Sequence, residues 1–135
     1  VRIWNLATLQ TKHVLKGHGN VVYGLAFRGD GRLLASSSWD GTVRLWDTST
    51  WRETATLHHG TNVHCLAFTP DGSRLATGCA DNTIRLWDVA RAQDVAEFRG
   101  HEEYVHGLTF TPDGGKLISA SGDTTLRIWD SLHAR

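Results

Sequence analysis

Short apolar runs alternate with polar punctuation along the whole chain. Runs rich in Val, Leu, Ile, Thr and Phe are bounded every five to eight residues by Gly, Asp, Asn or Pro, and no stretch holds a helical period over a dozen residues. The pattern predicts strands near 21–28, 33–38, 42–47 and 53–57, then near 63–69, 74–79, 83–88 and 94–98. A third set falls near 105–111, 116–121 and 125–130, and the opening residues supply two more, near 1–5 and 12–16.

These strands repeat. VRIWN (1–5), VRLWD (43–47), IRLWD (84–88) and LRIWD (126–130) place Trp4, Trp46, Trp87 and Trp129 at intervals of 42, 41 and 42 residues. Upstream of the last three lie LLASSSWDGT, LATGCADNT and LISASGDTT, each preceded by a turn, RGDG, TPDG and TPDG. Ahead of the turns come VVYGLAF, VHCLAF and YVHGLTF. A self-similar period of this length is the sequence signature of a repeat architecture.

Ser36, Asp40 and His18 are the ingredients of a hydrolase triad. The same residue types recur in each unit, however, and three copies of one serine nucleophile, one with Thr in its place, are hard to reconcile with a single active site. A repeat of 40–45 residues with Gly-His near its start and Trp-Asp at its end resembles the WD-repeat β-propeller family over essentially the whole chain. The resemblance implies an all-β fold of four-stranded antiparallel blades around a central channel. About three blades are expected, forming part of a seven-blade propeller. Residues 1–16 would end a preceding blade, 17–57 and 58–99 would each form one, and 100–135 would form an incomplete one.

The resemblance also implies that each repeat's His, Ser/Thr, Asp and Trp form a buried hydrogen-bonded tetrad. By position these are His18, Ser36, Asp40 and Trp46; His59, Thr77, Asp81 and Trp87; and His101, Ser119, Asp123 and Trp129. The residue types suit a directed chain. An indole only donates, a hydroxyl and an imidazole do both, and a carboxylate only accepts. Read this way, Ser36 is a staple and no residue is catalytic. The second tetrad is the weakest expectation, because His58-His59 replaces the Gly-His of the other repeats after a loop one residue shorter. A His58 held at positive φ would be strained by about 1 kcal/mol, unless the shorter loop turns differently.

If the tetrads are structural, recognition falls to positions that vary. The family's usual contact positions on the channel-mouth face map to Val21, Tyr23 and Trp39; Asn62, His64 and Ala80; and Tyr104, His106 and Gly122. Trp39 stands out, since Ala80 and Gly122 show that the fold needs no large residue there. Trp and Tyr are the types enriched at binding hot spots. The expected function is a non-catalytic scaffold docking a protein or peptide on this face. The alternatives are a propeller-based enzyme and a phosphate or nucleic-acid reader using the same face. The first would want acidic or histidine clusters and the second a basic cluster at the mouth, whereas only His64 and His106 could become cationic there.

Composition narrows the setting. Fourteen basic and fourteen acidic side chains balance, so no long-range field draws the chain to nucleic acid or acidic membranes. No stretch approaches the length of a transmembrane helix. Two cysteines are too few for a disulfide framework, which points to a reducing, cytoplasmic setting. The chain lacks methionine and opens on Val-Arg-Ile-Trp, as would a piece of something longer. Its thirteen predicted strands fall short of a closed ring, so neighbouring blades from a longer chain or from another copy are expected partners.

Other signals are assigned to structure. Arg28-Gly29-Asp30 aligns with Thr69-Pro70-Asp71 and Thr111-Pro112-Asp113, and reads as a hairpin turn. His58, His59, His64, Cys65 and Cys79 invite a metal, but adjacent strand residues His64 and Cys65 point to opposite faces, and no metal or other cofactor is expected. Cys65 and Cys79 align with small residues and read as packing positions. Arg2, Arg44, Arg85 and Arg127 recur on the third strand and read as braces between strands. Trp51, in the turn between third and outer strands, reads as a local cover.

Overall fold

The computed structural model describes residues 1–130; the end of the expected last blade, 131–135, lies outside the described residues. Thirteen strands and no helix are found among them. β1 (Arg2–Asn5) and β2 (Gln10–Val14) form a two-stranded sheet. β3 (Val22–Phe27), β4 (Leu33–Ser38), β5 (Thr42–Asp47) and β6 (Arg52–His58) form the first four-stranded sheet in sequential order. β7 (Val63–Phe68), β8 (Arg74–Cys79), β9 (Ile84–Asp88) and β10 (Gln93–Phe98) form the second. β11 (Val105–Phe110), β12 (Lys116–Ser121) and β13 (Leu126–Asp130) make a three-stranded sheet. All pairings are antiparallel. The fold is all-β, an array of propeller blades. Sheet edges differ from the sequence reading by one or two residues, chiefly in the outer strands, where polar residues carry little pattern.

Turns follow from local chemistry. Between second and third strands the residue after the tetrad Asp enters the left-handed region, as Gly41 (φ 83°), Asn82 (φ 72°) and Thr124 (φ 70°). A β-branched residue is seldom found there. At Thr124 the turn is held by Asp123 Oδ1, which accepts from the backbone N–H and the hydroxyl of Thr125 at 2.9 and 2.6 Å. The RGDG segment is a hairpin turn: Arg28 N–H donates to the Leu33 carbonyl at 2.8 Å, and the guanidinium grips Asp30 through two hydrogen bonds.

The core lies between sheets. Val43, Leu45 and Leu57 of the first blade pack with Val63, Leu66, Leu75 and Trp87 of the second. Ile84, Leu86 and Ala96 then pack with Val105, Leu117 and Trp129 of the third. Leu15, Val1 and Ile3 meet Leu34, Trp46 and Trp51. Trp51 therefore does more than cover its own turn. Its ring lies 5.8 Å from His13 and ties the first blade to the preceding sheet. Each fully buried Val, Leu or Ile contributes about 1.5–3 kcal/mol, so the blade interfaces carry most of the stability. The inner strands β3, β7 and β11 are neighbours, which aligns their ends along one face.

Candidate functional site

In two repeats the recurrent polar groups form a continuous hydrogen-bonded chain. Trp46 Nε1–H donates to Ser36 Oγ at 2.9 Å, Ser36 lies 2.7 Å from His18 Nε2, and His18 Nδ1 lies 2.9 Å from Asp40 Oδ2. The third repeat matches: Trp129 to Ser119 at 2.8 Å, Ser119 to His101 at 2.7 Å, and His101 to Asp123 at 2.7 Å. Because the carboxylate only accepts, Nδ1 carries the imidazole proton and Nε2 accepts from the serine. Ser36 is wholly buried (0% exposed), and its oxygen is taken by the indole. An acyl-transfer nucleophile needs the opposite, an open oxygen beside an oxyanion site.

The second repeat departs from this plan. Trp87 donates to Thr77 Oγ1 at 3.2 Å and Thr77 lies 2.9 Å from His59 Nε2, but His59 Nδ1 turns to the Leu57 carbonyl at 3.1 Å. Asp81 instead lies 3.6 Å from Arg85. The loop explains the change. β6 runs on through His58, which pairs with Thr42, and the left-handed residue is now Gly60 (φ 72°). His58 is thus unstrained. In the other repeats Gly17 and Gly100 sit at φ 150° and 151°, with a guanidinium nitrogen of Arg44 or Arg127 so close that a β-carbon would lie 2.9 or 3.1 Å from it. His59 carries no carboxylate partner, and burial pulls its pKa down to about 4. At Asp40 burial works against ionisation, but hydrogen bonds from Thr42, Gly19 and His18 prevail and hold the carboxyl well below its usual range.

A further recurrent member of the network has a spacing visible in the sequence. Thr42, Thr83 and Thr125 each follow the Asp by two residues and each donate a hydroxyl to its Oδ1 at 2.6 Å.

Six of the nine variable positions lie where two loops meet, and Tyr23, His64 and His106 stand at the starts of β3, β7 and β11 beside them. The N–H of Trp39, Ala80 and Gly122 donates to the carbonyl of Val21, Asn62 and Tyr104 at 3.0, 2.9 and 3.0 Å. Large side chains at these positions therefore meet across the blades. Tyr23 and Trp39 stack with ring centroids 5.5 Å apart and planes 13° from parallel. His64 stands edge-on to both, at 5.5 and 6.2 Å. It lies 5.4 Å from Tyr104, which lies 5.8 Å from His106. Five side chains from three blades thus form one row, Trp39–Tyr23–His64–Tyr104–His106. Tyr23, Tyr104 and Trp39 remain 58%, 44% and 37% exposed. Burial and the neighbouring His106 lower the His64 pKa, disfavouring its charged form. Val21 is exposed and stands outside the ring contacts, while Asn62 and Ala80 are half-buried.

Cys65 and Cys79 are free thiols, and burial pushes both pKa values up to about 12. Among the described residues no three His, Cys, Asp or Glu side chains are grouped to hold a metal ion, and no helix is long and apolar enough to cross a membrane. Arg44 bridges β5 to Glu53 of β6 at 2.7 Å, as a strand brace would.

The family model "WD domain, G-beta repeat" matches residues 9–47, 51–88 and 92–130. The chain belongs to the WD-repeat family. Each matched unit runs from the outer strand of one sheet to the third strand of the next, so the sequence repeat and the structural blade are out of phase. Among curated relatives, Periodic tryptophan protein 2 of Arabidopsis thaliana is 56% identical over 45 residues, 33% of this chain and 5% of that protein. Striatin-4 of Homo sapiens is 60% identical over 38 residues, 28% of this chain and 5% of that protein. The guanine nucleotide-binding protein subunit beta of Schizosaccharomyces pombe is 43% identical over 47 residues, 35% of this chain and 15% of that protein. The WD-repeat chain therefore matches only a small part of each relative's length. WD-repeat proteins generally act as protein-interaction scaffolds.

Proposed function

We propose that this WD-repeat chain is a non-catalytic scaffold that docks a protein or peptide on the channel-mouth face. Trp39, Tyr23, His64, Tyr104 and His106 form the contact surface, flanked by Val21 and Asn62. The supporting observation is the unbroken aromatic row across three blades. Tryptophan and tyrosine left partly exposed, stacked and prearranged present large rigid area with little entropy to lose, which is the usual make-up of a hot spot. The blades are taken as 17–58, 59–99 and 100–130, since β6 carries the first through His58 and 131–135 lie outside the described residues. Residues 1–16 would close a preceding one, and neighbouring blades from a longer chain or from another copy would meet their outer faces. The setting is cytoplasmic.

The test is capture of a partner by wild type and by a Trp39→Ala/Tyr23→Ala double variant whose cooperative urea unfolding shows an intact fold. Loss of about 2 kcal/mol or more, roughly thirtyfold in affinity, is expected for a hot-spot pair. Equal capture by both proteins removes this face from the function.

A further inference from the structure

Resting on that reading of the face, we propose that the aromatic row receives a basic peptide, arginine or lysine side chains lying over the rings of Trp39, Tyr23 and Tyr104. Three observations converge. First, the row offers π faces rather than a pocket. The stacked Tyr23–Trp39 pair and Tyr104 lie on either side of His64, and all three are partly open to solvent. A cation over such a face is attracted by its quadrupole, most strongly by tryptophan.

Second, the charge beside the row is negative. Glu102 and Glu103 directly precede Tyr104 on the loop entering β11, and both are exposed. Their backbone is fixed: Glu102 N–H donates to Asp123 at 3.1 Å, and the Glu103 carbonyl accepts from Ser121 at 2.9 Å. Third, nothing on the row competes for that role. Its two histidines are the sole ionisable nitrogens in it, and partial burial of His64 in the row disfavours its charged form. The nearest cation on the same loop, Arg99, is committed to Glu97 at 2.5 Å. An acidic or phosphorylated peptide would meet repulsion here, and a purely apolar one would leave Glu102 and Glu103 unanswered.

The test uses three labelled hexapeptides of alanine and glycine, carrying two arginines, two glutamates or two leucines. The whole chain is titrated into each, with the fluorescence anisotropy of the peptide's label as the readout, so that variants lacking Trp39 are read in the same way. The arginine peptide is expected to bind about tenfold tighter than either other, the sum of two exposed cation–π contacts. Trp39→Leu should abolish that preference while Trp39→Phe keeps part of it, which separates the π face from mere apolar area. Glu103→Gln should narrow the preference two- to threefold and weaken its dependence on salt.

Tighter binding of the glutamate or leucine peptide, if lost in Trp39→Ala/Tyr23→Ala, overturns the basic-peptide assignment and leaves the interaction face standing. Arginine-peptide binding that survives the double variant overturns both. Absence of binding by every peptide also overturns the assignment, and the face is then judged by partner capture alone.

Discussion

Tyr104 lies across Gly122 so closely that a β-carbon there would come within 2.8 Å of its ring. At the equivalent place in the first blade stands Trp39, and it stacks instead on Tyr23. The first and third blades thus each carry a large ring at this place, supplied from opposite sides of the same backbone contact. Gly122→Ala should push the Tyr104 ring, a side chain free to swing, away from His64. Global stability should change by less than about 0.5 kcal/mol, as at other surface positions. The expected sign is a shift of the His64 ring-proton resonances toward their values in Tyr104→Ala, with an unchanged urea midpoint. Unmoved His64 resonances would show that Gly122 and Tyr104 are not in contact.

Asp40 and Asp81 occupy the same repeat position but hold different partners. Asp40 accepts from His18 Nδ1, Gly19 N–H and both donors of Thr42. Asp81 accepts from Thr83 and faces Arg85 only at 3.6 Å. An amide at position 40 would turn an NH2 group toward donors. Asp40→Asn is therefore expected to lower stability by about 2–3 kcal/mol, the range for hydrogen bonds to a charged group. Asp81→Asn should cost about 1 kcal/mol or less, since its pair with Arg85 is partly exposed. Urea unfolding of both variants checks this, and equal losses would mean that the second blade uses its carboxylate after all.

His59 gives the fold an acid sensitivity of its own. Burial lowers its pKa to about 4, against about 6.5 in the unfolded chain. The unfolded state binds the proton more readily, so the stabilisation is complete above about pH 6.5 and drains away as the pH falls to about 4. The full difference is about 3 kcal/mol. Asp40 and Asp123 also lose stabilisation on acidification, but from the ordinary carboxylate range downward, where the unfolded chain takes up protons while hydrogen bonds hold both ionised in the fold. Most of that loss therefore lies below about pH 4.5. Between pH 7 and 4.5 the urea midpoint should fall steeply in wild type and more shallowly in His59→Asn. Parallel slopes would exclude His59 as the source.

Most of this architecture was open to reading because repetition multiplies weak local signals. Thirteen short strands could be placed from alternation and turn residues, whereas the tetrads were implied by the family resemblance, carried over by position. What spacing could not convey is where a side chain turns when its backbone changes. His59 keeps its distance to Phe68, yet one fewer loop residue carries β6 through His58 and swings Nδ1 onto Leu57. Contiguity of the aromatic row was equally hidden. Trp39, Tyr23, His64, Tyr104 and His106 come from three repeats, and only the curvature that brings β3, β7 and β11 together makes them neighbours. Trp51 shows the same limit: its turn was plain, but its contact with His13 crosses between sheets.

Leu126 and Ile128 on β13 are 71% and 68% exposed, whereas their equivalents Val43 and Leu45, and Ile84 and Leu86, are 0–4% exposed beneath the next blade. The opposite end of the array leaves Leu25 and Phe27 of β3 similarly open, where their counterparts Leu66 and Phe68 are covered or half-covered. Each end therefore presents the surface that elsewhere in the chain mates with another blade. Apolar area of this kind drives association. The chain alone is expected to show concentration-dependent self-association by sedimentation velocity. Leu126→Glu/Ile128→Lys should shift it toward the monomer, with thermal unfolding changed by about 0.5 kcal/mol or less, because these positions contribute little burial within the chain. An unaltered sedimentation profile would place the association elsewhere. Loss of the fold would instead mean that β13 is held by contacts other than its pairing with β12.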